Sequence, residues 1–423
     1  MDTDLEIRRY QKLEELEPLR QEWESLLAQI PTASIFNTWE WLSCWWRAFG
    51  AQQRLLVLAM HDSARHLVGL APLAFRKMDG APFGKIRIAC LMGDGSADSD
   101  NLDILAKPGC ERGVIAAMLG ELHSQKSNWD VLQFNTVRSE SACASELLRQ
   151  VEGRGWTRFP ASSTCRAIPL PETWEEYLKS LSYNERRNIR RYRDKLEKKY
   201  RVRVYRCSDV AEIPRCLESL FELHQKRWTG QGETGSFASA ERRQLYQEVS
   251  RACLPLGRLE FWLLELDGKP VAAEFGFRYG AGDFVLQQGF DPDHYDDRVG
   301  NILRGHVIQN LISEGVRRYD FLGGGSQYKD RWYPEEGSYL NLDCALPRTR
   351  GALYLRATHG AAAAKEWLRG KLPARGWESL KRLRRSLTGG AAGGPATKPQ
   401  AGLSAPAGEA AKGKHAEQAP LQE

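Results

Sequence analysis

Tyr319-Asp320-Phe321-Leu322-Gly323-Gly324-Gly325 runs an apolar strand into three glycines, and Tyr328, Lys329, Arg331 and Trp332 follow at once. Glycines let backbone approach a ligand closely. A lysine delivered just past a strand end is suited to act as acid, base or anion clamp. The plainer reading is a wide turn with solvated charges. Five other groups have chemistry-bearing types. Arg187, Arg190 and Arg191 lie on a helical segment whose apolar stripe is Ile189, Tyr192, Leu196 and Tyr200. Such arginines clamp phosphate or carboxylate, or simply form a solvated face. His224 precedes Arg227 and Trp228, and is either a general base near neutral pH or a helix-terminal histidine held by the dipole. Glu274 sits mid-strand on the face of Ala272, Gly276 and Arg278. It accepts a proton from an incoming nucleophile, or pairs with Arg278. Gln287 and Gln288 alternate faces, so only one enters a given cleft. Arg298, Gly300 and Asn301 open a helix, where free amides and the dipole form an anion site. Gly300 equally serves as a plain helix start.

These groups need elements to carry them. From Arg258 the chain alternates like a sheet, with Asp267-Gly268 as a hairpin turn. Strands at 258–266, 271–279 and 284–290 are followed by a helix over 300–314 and a buried strand over 317–322. The first part shows the same order of elements: a strand at 5–9, helices at 13–27 and 39–49, strands at 55–61, 67–75 and 86–91, a helix over 112–123 and a strand at 130–134. A linking helix is expected over 174–200, a strand at 202–205, and helices over 210–228 and 240–253. The domains expected are 1–170 and 171–346, then a basic helical extension over 347–388 and a disordered tail over 389–423. That tail is Ala, Gly, Pro and Lys with almost no large apolar residue, too little to offset the entropy of ordering.

The 423 residues allow more than one domain and a sizeable core. Net charge is +6, concentrated in 183–206, where eleven basic residues face three acidic ones. This suits an anionic ligand and is too weak to indicate nucleic acid. Nine scattered cysteines form no C-x-x-C pair and no metal spacing, so no metal is expected and a reducing cytoplasm is. The N-terminus has no apolar signal core, and no stretch reaches the ~20 apolar residues of a membrane span. Leu380, Leu383 and Leu387 with Trp377 form the apolar edge of a basic helix. Through 370–387 the helix either docks on the protein by those same residues or makes peripheral contact with an anionic membrane.

Six segments in this order resemble a known superfamily: 187–191, 223–228, Gly289-Phe290-Asp291-Pro292, 299–303, 315–323 and Tyr328-Lys329. Across roughly residues 20–345 the chain resembles the GNAT acyltransferases, in the branch of the CelD (BcsL) proteins with a BioF2-like acetyltransferase domain. That branch is related to the FemAB peptidyltransferases. The resemblance implies an α/β fold of mixed sheets in tandem GNAT-like domains. It implies acyl transfer from acyl-CoA to an amine or hydroxyl of a sugar or lipid-linked glycan precursor, in exopolysaccharide biosynthesis. It implies Lys329, Tyr328, Asp320, His224 and Glu274 as catalytic, Arg187, Arg190, Arg191, Arg227, Trp228, Gln288, Gly323 and Trp332 as substrate-binding, and Arg298, Gly300 and Asn301 as donor-binding. The usual Gln/Arg-x-x-Gly-x-Gly/Ala donor motif is altered: Arg298 is one residue too close to Gly300, and Ile302 replaces a small residue. The alternatives are an aminoacyl-tRNA-dependent transferase, with tRNA as the nucleic-acid partner, and a non-catalytic adaptor of a polysaccharide synthesis complex.

Overall fold

The computed structural model describes residues 5–96, 98–229, 236–324 and 327–371, with only the backbone path of 227–229, 236, 327, 328 and 370. The expected tail and the 377–387 helix lie outside the described residues.

The first half contains β1 (Glu6–Tyr10), α1 (Arg20–Leu27), α2 (Trp39–Phe49), β2 (Arg54–His61), β3 (Leu67–Asp79), β4 (Lys85–Leu91), β5 (Leu105–Ala106), α3 (Glu111–Ser124), β6 (Val131–Arg138), α4 (Ala142–Gly153) and β7 (Thr157–Pro169). The second half contains α5 (Trp174–Ser180), α6 (Tyr183–Lys199), β8 (Val202–Arg206), α7 (Ile213–Thr229), α8 (Ala240–Cys253), β9 (Leu259–Leu266), β10 (Lys269–Tyr279), β11 (Gly282–Phe290), α9 (Val299–Ser313), β12 (Arg318–Gly323), β13 (Glu335–Ala345) and α10 (Arg350–Lys371).

All strands join one mixed sheet, ordered β1-β2-β3-β4-β6-β13-β7-β12-β11-β10-β9-β8, with β5 on β3. The halves therefore exchange their last strands. β13, from the end of the second half, pairs antiparallel with β6, and β7, from the end of the first, pairs with β12. β7 and β13 also pair with each other over eleven residues on each strand, from Glu335↔Ala167 to Ala345↔Thr157.

Side chains alternate across the second half of the sheet as strand geometry requires. Phe261, Leu263, Phe275 and Phe277 pack in one core with Leu220 and Phe221 of α7 and Val249 of α8. Trp262, Leu264, Ala272 and Val285 pack in another with Leu196 of α6 and Leu303 and Val307 of α9. The β9–β10 turn is the expected Asp267-Gly268 pair, both at positive φ (51° and 83°).

Two expected helices are broken. The linking helix stops at Leu181, which is extended, and restarts on Ser182, whose hydroxyl accepts the Glu185 N–H at 3.2 Å. Helix 13–27 begins as a 3-10 turn holding Pro18, and α1 starts only at Arg20. α4, β5, β7 and β13 have no counterpart in the sequence reading.

Candidate active site

β11 and β12 run parallel but pair over only three residues each, Gly282–Phe284 with Arg318–Asp320. Past that point the ladder stops. Leu322 takes a left-handed φ of 59°, and Gly323 pairs with Cys165 of β7 instead. The sheet thus opens between the C-terminal ends of two parallel strands, where open α/β sheets place their ligands.

Lys329 stands at the β12 side of this opening and is 5% exposed. Its ammonium donates to the carbonyls of Phe321 (3.1 Å), Gly323 (3.0 Å) and Gly324 (3.0 Å). An ammonium has three donors, so all three hold the glycine turn in place. Burial brings its pKa down to about 8, against the opposing pull of Asp100. Gly323 and Gly324 thus give their carbonyls to this lysine.

The loop between β4 and β5 closes the opening from the first half. Ser96 and Ser99 accept the indole N–H groups of Trp45 and Trp41, both at 2.9 Å. Asp98 accepts from Arg242 (2.7 Å) and from the Tyr246 hydroxyl (3.2 Å), both on α8. Asp100 accepts the backbone N–H of Gly323 at 2.9 Å. Burial, more than any other influence, pushes the Asp100 carboxyl above its ordinary pKa, and Asp320 adds to the shift while the Gly323 N–H and Lys329 oppose it. Tyr339 of β13 completes the group. Its ring lies beside Gly323, and its buried hydroxyl has no hydrogen-bond partner among the described residues. Asp100 and Tyr339 were absent from the sequence reading. A run of some thirteen residues without regular structure between two strands is unusual in a compact domain and is often functional. That length was the available signal.

Asp320 is the acidic residue of β12 that the resemblance implies as catalytic. It is fully buried and forms an ion pair with Arg138 of β6 and another with Arg318 at 3.3 Å, while its other oxygen accepts the Leu322 N–H at 2.8 Å. It thereby ties the two halves together beneath the glycine turn.

Glu274 does not pair with Arg278, which goes to Glu260 at 2.7 Å. Glu274 lies under α9, where it pairs with Arg304 (3.2 Å) and accepts from the Tyr319 hydroxyl (2.7 Å) and the Gln288 amide (3.1 Å). Burial raises its pKa and the Arg304 charge lowers it, with a net upward shift. Gln288 also donates to the Gly300 carbonyl at 3.0 Å and accepts from Arg304 at 2.7 Å. Glu274, Gln288 and Gly300 are therefore one network, which fixes the first turn of α9 against β11. Gln287 faces the other side, toward the Tyr246 hydroxyl.

His224 is buried on α7, its ring 4.9 Å from that of Phe237. α7 covers the sheet face opposite to α9, so His224 and Glu274 do not share a site. Phe237 is core, packed between Phe221 and Tyr246. The Arg227, Trp228 and Tyr328 side chains lie outside the described residues. α6 packs on α9, where Arg190, Arg298, Asn301 and Trp332 share one cavity. Arg187 is exposed, and Arg191 donates to Tyr192 at 3.2 Å. No cluster of potential metal ligands occurs among the described residues.

The opening between the parallel strand ends thus carries glycines along one edge and a carboxyl and a lysine at its end. Residues 184–330 match the family model of an acetyltransferase (GNAT) domain. The match spans α6 through the Lys329 turn, so both edges of the opening fall within it and Asp100 does not. It supports a transferase. Among solved structures, FemX superposes with a TM-score of 0.58 at 12% identity, covering 79% of this chain and 97% of that one. The fold is thus a mixed α/β arrangement shared with FemX. The tandem GNAT protein from the clavulanic acid biosynthesis pathway gives a TM-score of 0.46 at 14% identity, covering 81% and 98%. L-PGS from Bacillus licheniformis gives 0.46 at 12%, covering 81% and 96%. No curated protein matches the chain in sequence.

Proposed function

We propose that the chain is an acyltransferase that moves an acyl group from an activated donor to an amine or hydroxyl. The observation that carries this reading is the early end of the β11–β12 ladder, with Gly323, Lys329 and Asp100 where it opens. The acyl carbonyl lies along the glycine edge, and the acceptor approaches from the side of the β4–β5 loop. Asp100, ionised, takes the proton of the attacking group, and the donor's leaving group departs without an enzyme-bound intermediate. Lys329 acts through the three carbonyls it holds and is a positioning residue. Tyr328 remains a proposed acid at the same turn, and His224 and Glu274 are proposed as supports of the two sheet faces.

The donor we favour is an acyl-CoA, with Arg298, Gly300 and Asn301 at the start of α9 and Arg187, Arg190 and Arg191 nearby. The acceptor we favour is a sugar or lipid-linked glycan, as for a CelD (BcsL) protein of polysaccharide biosynthesis working in the cytoplasm, with peripheral membrane contact through 370–387. No described helix is long and apolar enough to cross a membrane. A second reading, transfer from aminoacyl-tRNA, is favoured by the FemX superposition over nearly all of that chain. The full chain incubated with acetyl-CoA, longer acyl-CoAs or charged tRNA, and with amino-sugar and hydroxyl acceptors, is followed by mass spectrometry. Acyl-CoA-dependent product supports the first reading and tRNA-dependent product the second. No transfer from either donor type refutes both.

A further inference from the structure

A groove of about 690 Å³ runs between the two halves at the starts of β11 and β12, a size within the ordinary range for small-molecule sites. The opening beside Lys329 lies at the other ends of these two strands, and none of Asp100, Gly323, Lys329 and Tyr339 lines the groove. One wall belongs to the first half, where Leu27 ends α1 and Ile30 and Thr32 follow. The facing wall is the β10–β11 hairpin, with Tyr279 and Phe284. Both walls are mainly apolar. Glu24 and Glu140 also line the groove, and each is paired with an arginine, Arg258 and Arg138.

Two arginines of the groove have donors to spare. Arg318 of β12 gives its Nε to Asp320 at 3.3 Å, and neither of its terminal nitrogens makes a hydrogen bond among the described residues. Its side chain is 43% exposed. Its neighbour across the ladder is Gly282, which brings no side chain to it. Arg278 of β10 is held by Glu260 and Glu314, yet its buried Nε has no acceptor among the described residues. A buried donor left unmade costs free energy. The free fork of a guanidinium matches a carboxylate, which takes two parallel N–H bonds. The walls above it call for hydrocarbon.

We propose that this groove binds a small monocarboxylate with an apolar body. The carboxylate sits on the terminal N–H groups of Arg318, and the body fills the space between Leu27, Ile30 and Tyr279. The ligand touches both halves of the chain. Its site is separate from the opening beside Lys329, and binding is read without turnover.

The test is calorimetric titration of the full chain with phenylbutyrate and octanoate, beside phenylbutyramide and acetate. The two apolar carboxylates are expected to bind about tenfold or more tightly than the controls, since the amide lacks the charge and acetate lacks the body. Arg318→Met keeps the aliphatic stem and leaves Arg138 on Asp320, and should weaken phenylbutyrate about tenfold or more. Thr32→Trp fills the groove from the first half, leaves Arg318 in place and should abolish binding. Saturating phenylbutyrate should raise the melting temperature of the wild type and of neither variant, because it binds only the folded chain. Binding of neither carboxylate, or phenylbutyramide binding as tightly as phenylbutyrate, overturns the proposal. So does wild-type affinity in either variant with its fold intact by circular dichroism.

Discussion

The Asp100 carboxylate accepts the backbone N–H of Gly323 at 2.9 Å, across 223 residues of sequence. Asp100→Asn retains an acceptor for that N–H, so the melting temperature should stay near wild type. If Asp100 is the proton acceptor, turnover falls by on the order of 10²-fold. Its raised pKa places the acid limb of kcat/KM above the usual carboxylate range, because only the ionised form takes the proton. The asparagine variant should lose that limb. Wild-type turnover in Asp100→Asn removes Asp100 from the chemistry.

Lys329 should matter to stability as well as rate. Lys329→Ala strips the donor from three carbonyls at once, and about 2–3 kcal/mol of unfolding free energy should go with it. Lys329→Arg cannot reproduce the compact three-point contact, so it should recover little. Denaturant titration of both variants decides, and an unchanged midpoint for Lys329→Ala would falsify the clamp.

The network below α9 behaves as a unit. Glu274→Ala leaves Arg304 buried without its carboxylate and should cost about 3–5 kcal/mol. Adding Arg304→Met should restore part of that loss. The check is a double-mutant cycle by equilibrium unfolding. Additive losses would mean that the two residues stabilise the fold separately.

The docking of α10 depends on one glycine. A Cβ on Gly351 would lie 1.8 Å from the Asp130 carbonyl oxygen, which is backbone and cannot move aside. Gly351→Ala should therefore lift the start of α10 and cost about 1–3 kcal/mol, visible as lost hydrogen-exchange protection over 350–358. Burial raises the Asp130 carboxyl, but bonds to Arg87 and Arg350 outweigh it and bring the pKa to about 2, below its ordinary 3.8. Its contribution is complete above pH 3.8 and is lost as pH falls through about 2. Asp130→Asn should flatten stability against pH in that window; an unchanged slope counts against the ion pairs.

The elements that announced themselves in the sequence are those with a clear apolar period. β9, β10 and β11 alternate, α2 and α9 repeat at helical spacing, and each formed within a few residues of expectation. β7 did not announce itself, because Pro160, Ser162, Ser163 and Thr164 show no apolar face. Its place in the sheet comes from pairing with β12 and β13, which no local pattern encodes. The site was legible in the same uneven way. The glycine turn with Lys329 drew notice through composition, and Glu274 and Gln288 do meet. Their partners Arg304 and Tyr319 were passed over as ordinary helix and strand residues. Arg138 and Asp100 come from the other half, where spacing along the chain says nothing of distance in space.

The exchanged strands bear on how this chain is made. β6 leaves the ribosome some two hundred residues before β13, its partner in the sheet. Until β13 arrives, β6 presents an unpaired edge, the kind of surface on which nascent chains associate wrongly. The first half therefore reaches its final form only when nearly all of the described chain has been synthesised, and the non-local pairing makes that last step slow. Closure of the sheet and completion of the Asp100–Gly323 contact then belong to the same late event, so the cleft takes shape only as synthesis ends.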